Sequence, residues 1–291
     1  MKILRTTQAF LSWRRKVPEQ KTIGFVPTMG ALHSGHLSLI QASRRENDLT
    51  VVSIFINPSQ FGPKEDFEKY PRTERDDLIL LRSAGIDAVF IPSSKEEIYR
   101  QGSDTWIVPR TSLTEIMEGR FRPNHFKGVA TVVLKLFSIV NPRRAYFGEK
   151  DYQQLRVIET MVEDLFLPVS IRRCATKRAS SGLALSSRNR YLTELDRKRA
   201  SLLYQTLKSS PDIASAKRRL RELGFKLQYL EAWDEDFKRG EEKNSSTKLR
   251  AEKRVRWFVA AYFQGVRLID NLIRSSQDSR AGFAFQKTSA R

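Results

Sequence analysis

Pro27-Thr28-Met29-Gly30-Ala31-Leu32-His33-Ser34-Gly35-His36 joins an apolar stretch, Thr22 to Val26, to Leu37-Ser38-Leu39-Ile40. The first stretch reads as a short buried strand and the last as the opening of a helix that begins near Ser34. A strand, a glycine-bearing turn and a helix N-terminus make an anion site, because the first backbone N–H groups of a helix have no partner within it. Two of the three histidines in the chain fall in this run. Their spacing of three puts His33 and His36 on one helical face, within reach of one phosphate.

Working outward, strands alternate with helices. Leu49–Ile56 is a second apolar, β-branched run, Arg72–Ser83 a helix, and Ala88–Ile91 a third strand ended by Pro92. Phe126–Val140 has helical periodicity, Ala145–Phe147 is a short strand, Tyr152–Leu165 a helix and Pro168–Arg173 a strand. Such alternation predicts an α/β fold, a Rossmann-like doubly wound parallel sheet. Ligands of these sheets bind outside the carboxyl ends of the strands, where Pro27, Asn57 and Gly148 fall. After Thr176 the texture changes. Helices are expected over Thr193–Lys208 and Ile213–Leu223, the second capped by Gly224, followed by strands at Lys226–Ala232, Val255–Phe263 and Val266–Asp270. The expected division is residues 1–176 as the Rossmann-like domain and 177–291 as a smaller α+β lid domain. Gly240–Asn244 reads as a polar loop and the tail from Ser275 as mobile.

No apolar stretch approaches the ~20 residues of a membrane helix. Met1-Lys2-Ile3-Leu4-Arg5 lacks the apolar segment and cleavage site of a secretion signal. The single cysteine, Cys174, cannot form an internal disulfide and fits a reducing cytoplasm, where it reads as a packing residue. The formal charge of +19 is the footprint expected of a nucleic-acid binder. The excess is spread along the chain, however, with no arginine-rich arm. Its densest runs, Arg197-Lys198-Arg199 and Lys217-Arg218-Arg219, lie on helical segments, where solvated faces are the simpler reading. The same potential would draw in small anions.

Three further segments carry polar chemistry at strand ends or loops. Asn57-Pro58-Ser59-Gln60-Phe61-Gly62-Pro63 closes the second strand; the Gln60 amide suits a ligand with carboxylate and hydroxyl groups, or is simply solvated. Gly148-Glu149-Lys150-Asp151 offers close backbone approach and a mobile cation, with Gln154 one turn on. The plainer account is a helix cap with a surface lysine. Leu185-Ser186-Ser187-Arg188-Asn189 supplies hydroxyls and a guanidinium suited to phosphate oxygens. His125, in Arg122-Pro123-Asn124-His125-Phe126, reads more simply as a structural histidine capping the next helix.

Together these segments, with Tyr70-Pro71-Arg72-Thr73, His125–Val133, Tyr146–Gln154 and Gly182–Asn189, resemble the pantothenate synthetase (pantoate–β-alanine ligase) family. The likeness is dense over residues 1–192 and thins beyond. The HxGH element alone would indicate only the wider nucleotidylyl-transferase group. The resemblance implies ATP-dependent condensation of (R)-pantoate with β-alanine through pantoyl adenylate, releasing AMP and pyrophosphate. It implies that Met29, Gly30, Ala31, Leu32, His33, Ser34, Gly35 and His36 line the ATP site, with Gly148, Glu149, Lys150, Asp151, Lys177, Leu185, Ser186, Ser187 and Arg188. His36, His33, Lys150 and Arg188 would be catalytic, and Gln60 and Gln154 would hold pantoate, with β-alanine approaching near Gln60. Mg²⁺ would accompany ATP, and Asp76 and Asp77 could assist it. A cytoplasmic homodimer without membrane or nucleic-acid partners is implied as well.

The chain departs from the family pattern at Lys177, where valine is usual, and at Asn124, where glycine is usual. Two other readings are a related nucleotidylyl transferase with another acceptor and a basic nucleic-acid-binding protein with an idle site.

Overall fold

A computed structural model describes residues 1–63, 65–102, 105–235, 237 and 255–274. It divides into two compact units, Met1–Lys177 with Leu185–Ser187, and Arg178–Ala184 with Arg188–Arg291. The chain thus leaves the first unit after Lys177 and returns to it for three residues. The polar loop Gly240–Asn244 and the tail from Ser275 lie outside the described residues.

The first unit runs β1 (Lys2–Leu4), α1 (Thr7–Arg14), β2 (Ile23–Thr28), α2 (Ser34–Glu46), β3 (Leu49–Ile54), α3 (Glu74–Ser83) and β4 (Ala88–Phe90). It continues through α4 (Thr111–Thr114), α5 (Met117–Phe121), α6 (His125–Val140), β5 (Arg144–Gly148), α7 (Tyr152–Asp164) and β6 (Ser170–Cys174). Its six strands are all parallel, in the order β1-β4-β3-β2-β5-β6. From β2 the chain builds outward through β3 to β4, then crosses back to place β5 on the other side. The reversal makes the β2/β5 boundary the topological switch point, where such sheets bind ligands. β2 pairs with β3 along its whole length, from Ile23↔Leu49 to Thr28↔Ile54. With β5 it pairs only at Gly24↔Arg144 and Phe25↔Ala145. The ends carrying Thr28 and Gly148 are therefore not hydrogen-bonded to each other.

Burial explains the near-continuous apolar strands. Val26, Val52, Ile54 and Val89 pack with Leu39, Ile40 and Leu81 of α2 and α3. On α6, Phe126, Val129, Ala130, Val133, Leu136, Phe137 and Val140 are all buried, and the Phe137 ring meets Phe25 edge-on with centroids 6.3 Å apart. Each large apolar side chain buried in this way contributes ~1.5–3 kcal/mol. β1 and α1 carry little sequence signal: the strand has three residues, all at least partly exposed, and it forms because β4 offers a parallel edge.

The second unit comprises α8 (Glu194–Ala200), α9 (Leu202–Ser209), α10 (Ile213–Glu222) and an antiparallel sheet of β7 (Lys226–Trp233), β8 (Val255–Phe263) and β9 (Val266–Arg274), in that order. Thr193 and Asp212 cap α8 and α10 by accepting the N–H groups of Asp196 and Ser215. The single helix expected over Thr193–Lys208 is divided at Ser201, whose hydroxyl bonds back to the Lys198 carbonyl at 2.6 Å and competes with the helical ladder. Leu203, Leu207, Leu220, Val259, Ala261 and Leu268 form the core of this unit. Arg197, Lys198, Arg199, Arg218 and Arg219 are exposed, so the dense basic runs are solvated helix faces.

Candidate active site

The motif turn follows the carboxyl end of β2. Gly30 and Ala31 both adopt left-handed backbone, φ 81° and 50°. Ala31 bears a steric cost there that glycine does not, and Asp77 explains why the conformation persists. Buried on α3, Asp77 accepts the N–H of Ala31 at 2.9 Å, the N–H of Leu32 at 2.7 Å and the Thr73 hydroxyl at 3.3 Å. Both Asp77 oxygens are bound to backbone N–H groups, so its shown part is to hold the turn. Asp76 is exposed.

His33 is the N-cap of α2 rather than a residue within it. Its Nδ1 accepts the Gly35 N–H at 3.1 Å, and His36 Nδ1 accepts the His33 N–H at 3.3 Å. The two rings lie against each other at a tilt of 36°, 4.1 Å between centroids. Two backbone donors expected to meet an anion are thus already bound to imidazole nitrogens. The compensation is chemical: with each Nδ1 an acceptor, each neutral ring carries its proton on Nε2. Burial pushes the His36 imidazole down to about 3, and the neighbouring His33 ring and Lys150 ammonium add to the shift. His36 is a neutral hydrogen-bond donor at ordinary pH.

Gln60 sits in a 3-10 turn, Pro58–Gln60, beyond β3 and is buried. Asn57 Nδ2 donates to Gln60 Oε1 at 3.1 Å and to the Gly128 carbonyl at 3.2 Å. Asn57 Oδ1 in turn accepts from the Ser59 hydroxyl and the Tyr99 hydroxyl. The Gln60 Nε2 group lies 3.2 Å from Met29 Sδ, which brings the glutamine up to the motif turn. Sequence reasoning missed Asn57 as the group that orients Gln60. The available signal was the Asn-Pro-Ser pattern of an Asx turn, in which the asparagine oxygen takes the N–H two residues on. Nothing local pointed to Tyr99.

Lys150 and Asp151 belong to a 3-10 turn, Glu149–Asp151, between β5 and α7. The Asp151 side chain makes no cap bond to α7; its carboxylate lies 3.6 Å from Lys150 Nζ. The simple helix-cap account therefore fails. Gln154 is half-buried one turn into α7, whereas its neighbour Gln153 is bound to the Glu118 N–H and the Leu113 and Ile116 carbonyls.

Of the later residues, Lys177 and Leu185–Ser187 group with the first unit. The Ser187 hydroxyl donates to the Ala31 carbonyl at 3.0 Å, and the Leu185 N–H to the Lys177 carbonyl at 2.9 Å. Lys177 exposes its side chain and engages through its backbone. Arg188 belongs to the second unit, so Ser187 and Arg188 divide between the two. The first unit alone assembles both motif histidines, Lys150, Gln60 and Ser187. Asn124 has φ 64°, a left-handed position at which asparagine is a good replacement for glycine. Among the described residues, no group of three or more His, Cys, Asp or Glu side chains could hold a metal, and no helix is long and apolar enough to cross a membrane.

The family model described as pantoate-beta-alanine ligase matches residues 2–273. A pantothenate synthetase of Caldicellulosiruptor bescii is 48% identical over 263 residues, 88% of this chain and 92% of that protein. A pantothenate synthetase of Thermotoga neapolitana is 45% identical over 287 residues, 94% of this chain and 99% of the relative. The crystal structure of pantothenate synthetase from Thermus thermophilus superimposes with a TM-score of 0.84 at 42% identity, covering 94% of this chain and 99% of that one. The Francisella tularensis pantoate-beta-alanine ligase, complexed with beta-gamma ATP and beta-alanine, gives 0.82 at 40% identity over 94% and 97%. The strand order, the paired histidines of the motif turn and these likenesses agree: the chain belongs to the pantoate-beta-alanine ligase family.

Proposed function

We propose that this chain joins (R)-pantoate to β-alanine through pantoyl adenylate, releasing pyrophosphate and then AMP. The observation that carries the reading is the convergence of the His33–His36 pair, Lys150 and the Asn57-oriented Gln60 at the switch point of one sheet. ATP and beta-alanine bound to the Francisella relative support both as substrates here.

In the first step a pantoate carboxylate oxygen bonds to the α-phosphorus, and the bond from that phosphorus to the bridging oxygen breaks. Negative charge gathers on the phosphoryl oxygens and on departing pyrophosphate. The Nε2–H groups of His36 and His33 and the Lys150 ammonium offset it. Met29 to His36, Gly148 to Asp151, Lys177 and Leu185 to Ser187 line the nucleotide. Mg²⁺ accompanying ATP would supply further positive charge against the phosphates; among the described residues, no group of three or more His, Cys, Asp or Glu side chains stands ready to hold it. Gln60 and Gln154 hold the pantoate hydroxyls and carboxylate. In the second step the β-alanine amine, having lost its proton, attacks the acyl carbon and AMP leaves. Holding the two reactants together replaces a bimolecular encounter.

The test is AMP and pantothenate formation with each substrate omitted in turn. All three substrates give pantothenate, and ATP with pantoate alone gives pyrophosphate and enzyme-bound pantoyl adenylate. Absence of the adenylate, or turnover with another acid in place of pantoate, overturns the reading. The homodimer and the cytoplasmic setting belong to the same proposal; light scattering on the purified chain reads the first.

A further inference from the structure

His125 has no part in the chemistry above, yet it is buried against the backbone of Gln60. Its Nδ1 lies 2.8 Å from the Gln60 carbonyl, and its Nε2 lies 3.0 Å from Arg122 Nη1. A carbonyl can only accept and a guanidinium can only donate. These partners admit one state of the ring, the neutral form with its proton on Nδ1, donating to Gln60 and accepting from Arg122. A second ring proton would place an N–H against a cation.

Arg122 is itself fixed. Its Nε and Nη2 form a fork with Glu65, 2.8 and 2.6 Å, and Nη1 lies 3.5 Å from Glu118 Oε2. Glu65 follows the Gln60 turn in sequence, so Arg122 ties the far end of that segment while His125 ties the near end. Gly128, nearly one turn along α6 from His125, completes the seat: a Cβ there would collide with the Ser59 carbonyl oxygen and lie 2.7 Å from the Gln60 nitrogen. The turn therefore rests directly on the helix backbone.

We propose that His125 is a positioning residue for pantoate, acting through Gln60: its Nδ1–H, oriented by the Arg122–Glu65 pair, sets the depth at which the Gln60 amide stands in the site. The inference rests on pantoate being the ligand of Gln60. His125→Asn and His125→Gln separate the two ring nitrogens. The asparagine amide nitrogen stands as many bonds from Cβ as Nδ1, so it keeps the donor to Gln60. The glutamine amide reaches the Nε2 position, so it keeps the Arg122 contact and leaves the Gln60 carbonyl without its donor.

Steady-state kinetics on the full-length enzyme, varying pantoate and ATP separately, reads the difference. H125Q is expected to raise the KM for pantoate ~10-fold, and H125N no more than ~3-fold, with the KM for ATP within ~2-fold in both. Equal effects of the two variants on pantoate, or equal displacement of the ATP and pantoate constants, overturn the role of His125. A wild-type enzyme that makes no pantothenate overturns the assignment of Gln60 instead. If H125Q does not fold, Arg122→Lys, which cannot make the fork with Glu65, is expected to raise the pantoate KM selectively; an unchanged KM overturns the proposal.

Discussion

Asp77 Oδ1 accepts the backbone N–H of Leu32 at 2.7 Å, and its other oxygen takes that of Ala31, so a helix on one side of the sheet fixes the turn that carries both motif histidines. Replacing Asp77 with alanine leaves two buried N–H groups without an acceptor, at ~1–3 kcal/mol each. Ala31 would then have no reason to hold φ 50°. Asp77→Ala should lower the thermal midpoint and raise the KM for ATP ~10-fold or more, and Asp77→Asn, keeping one acceptor, should do less of both. An Asp77→Ala enzyme with unchanged ATP affinity would show that the turn holds itself.

The His36 imidazole, driven down to about 3 by burial, couples folding to pH. An unfolded histidine titrates near 6.5. Between about pH 6.5 and 3 the unfolded chain binds a proton that the folded chain refuses, so this group lowers stability as pH falls through that window and contributes no slope above it. Comparing unfolding midpoints at about pH 7 and about pH 5 for wild type and His36→Gln isolates the effect: the variant should lose less on acidification. Equal losses would mean that the imidazole takes up its proton in the folded state. At about pH 7.5, His36→Ala should slow turnover by ~10²–10³, the cost of removing one donor to developing charge.

The parts that were legible in the sequence are those set by local pattern. The 22–26 and 49–56 runs are apolar because β2 and β3 are covered on both faces, and a glycine-bearing turn before Ser34 announced the helix. Arrangements formed between distant segments left no local trace. Asp77 read as one of two acids in a helix, and only the approach of α3 to the turn gives it two backbone partners. His125 read as a cap, because its partner Gln60 is 65 residues away. The three-residue return at Leu185–Ser187 was likewise invisible, since the hydroxyl of Ser187 becomes meaningful only beside the Ala31 carbonyl.

Asn124 occupies a left-handed position, φ 64°, immediately before α6. Asparagine tolerates that region better than residues with larger or apolar side chains. Asn124→Ala should therefore destabilise the protein by ~1 kcal/mol, while Asn124→Gly stays within ~0.5 kcal/mol of wild type. Chemical denaturation of the three proteins decides; a destabilised glycine variant together with a neutral alanine variant would refute the backbone explanation.

Gly128 reverses a general rule. Glycine to alanine inside a helix normally adds ~1 kcal/mol of stability. Here the new methyl would collide with the Ser59 carbonyl oxygen, a backbone atom that cannot rotate away. Gly128→Ala should destabilise the enzyme and raise the KM for pantoate more than that for ATP, because the displaced segment carries Gln60. A stabilised, fully active variant would show that the turn can lift from the helix without consequence.

Within the second unit, Arg178 binds Asp270 through two hydrogen bonds of 2.6 and 2.8 Å, donates to the Gly182 carbonyl, and lies 3.6 Å from the centre of the Tyr204 ring. The Asp270 side chain is 3% exposed, so removing the arginine strands a buried charge. Such losses cost ~3–5 kcal/mol, whereas replacing both members with apolar residues of similar size is often close to neutral. Arg178→Met alone should strongly destabilise the unit and open residues 178–184 to proteolysis, and adding Asp270→Leu should recover much of the stability. Lysine at 178 should fall between, since it keeps the charge but loses the fork and the flat stacking surface. If the double variant is as unstable as the sum of the singles, the pair acts through something other than mutual neutralisation, and the loop must be held by the Gly182 and Tyr204 contacts.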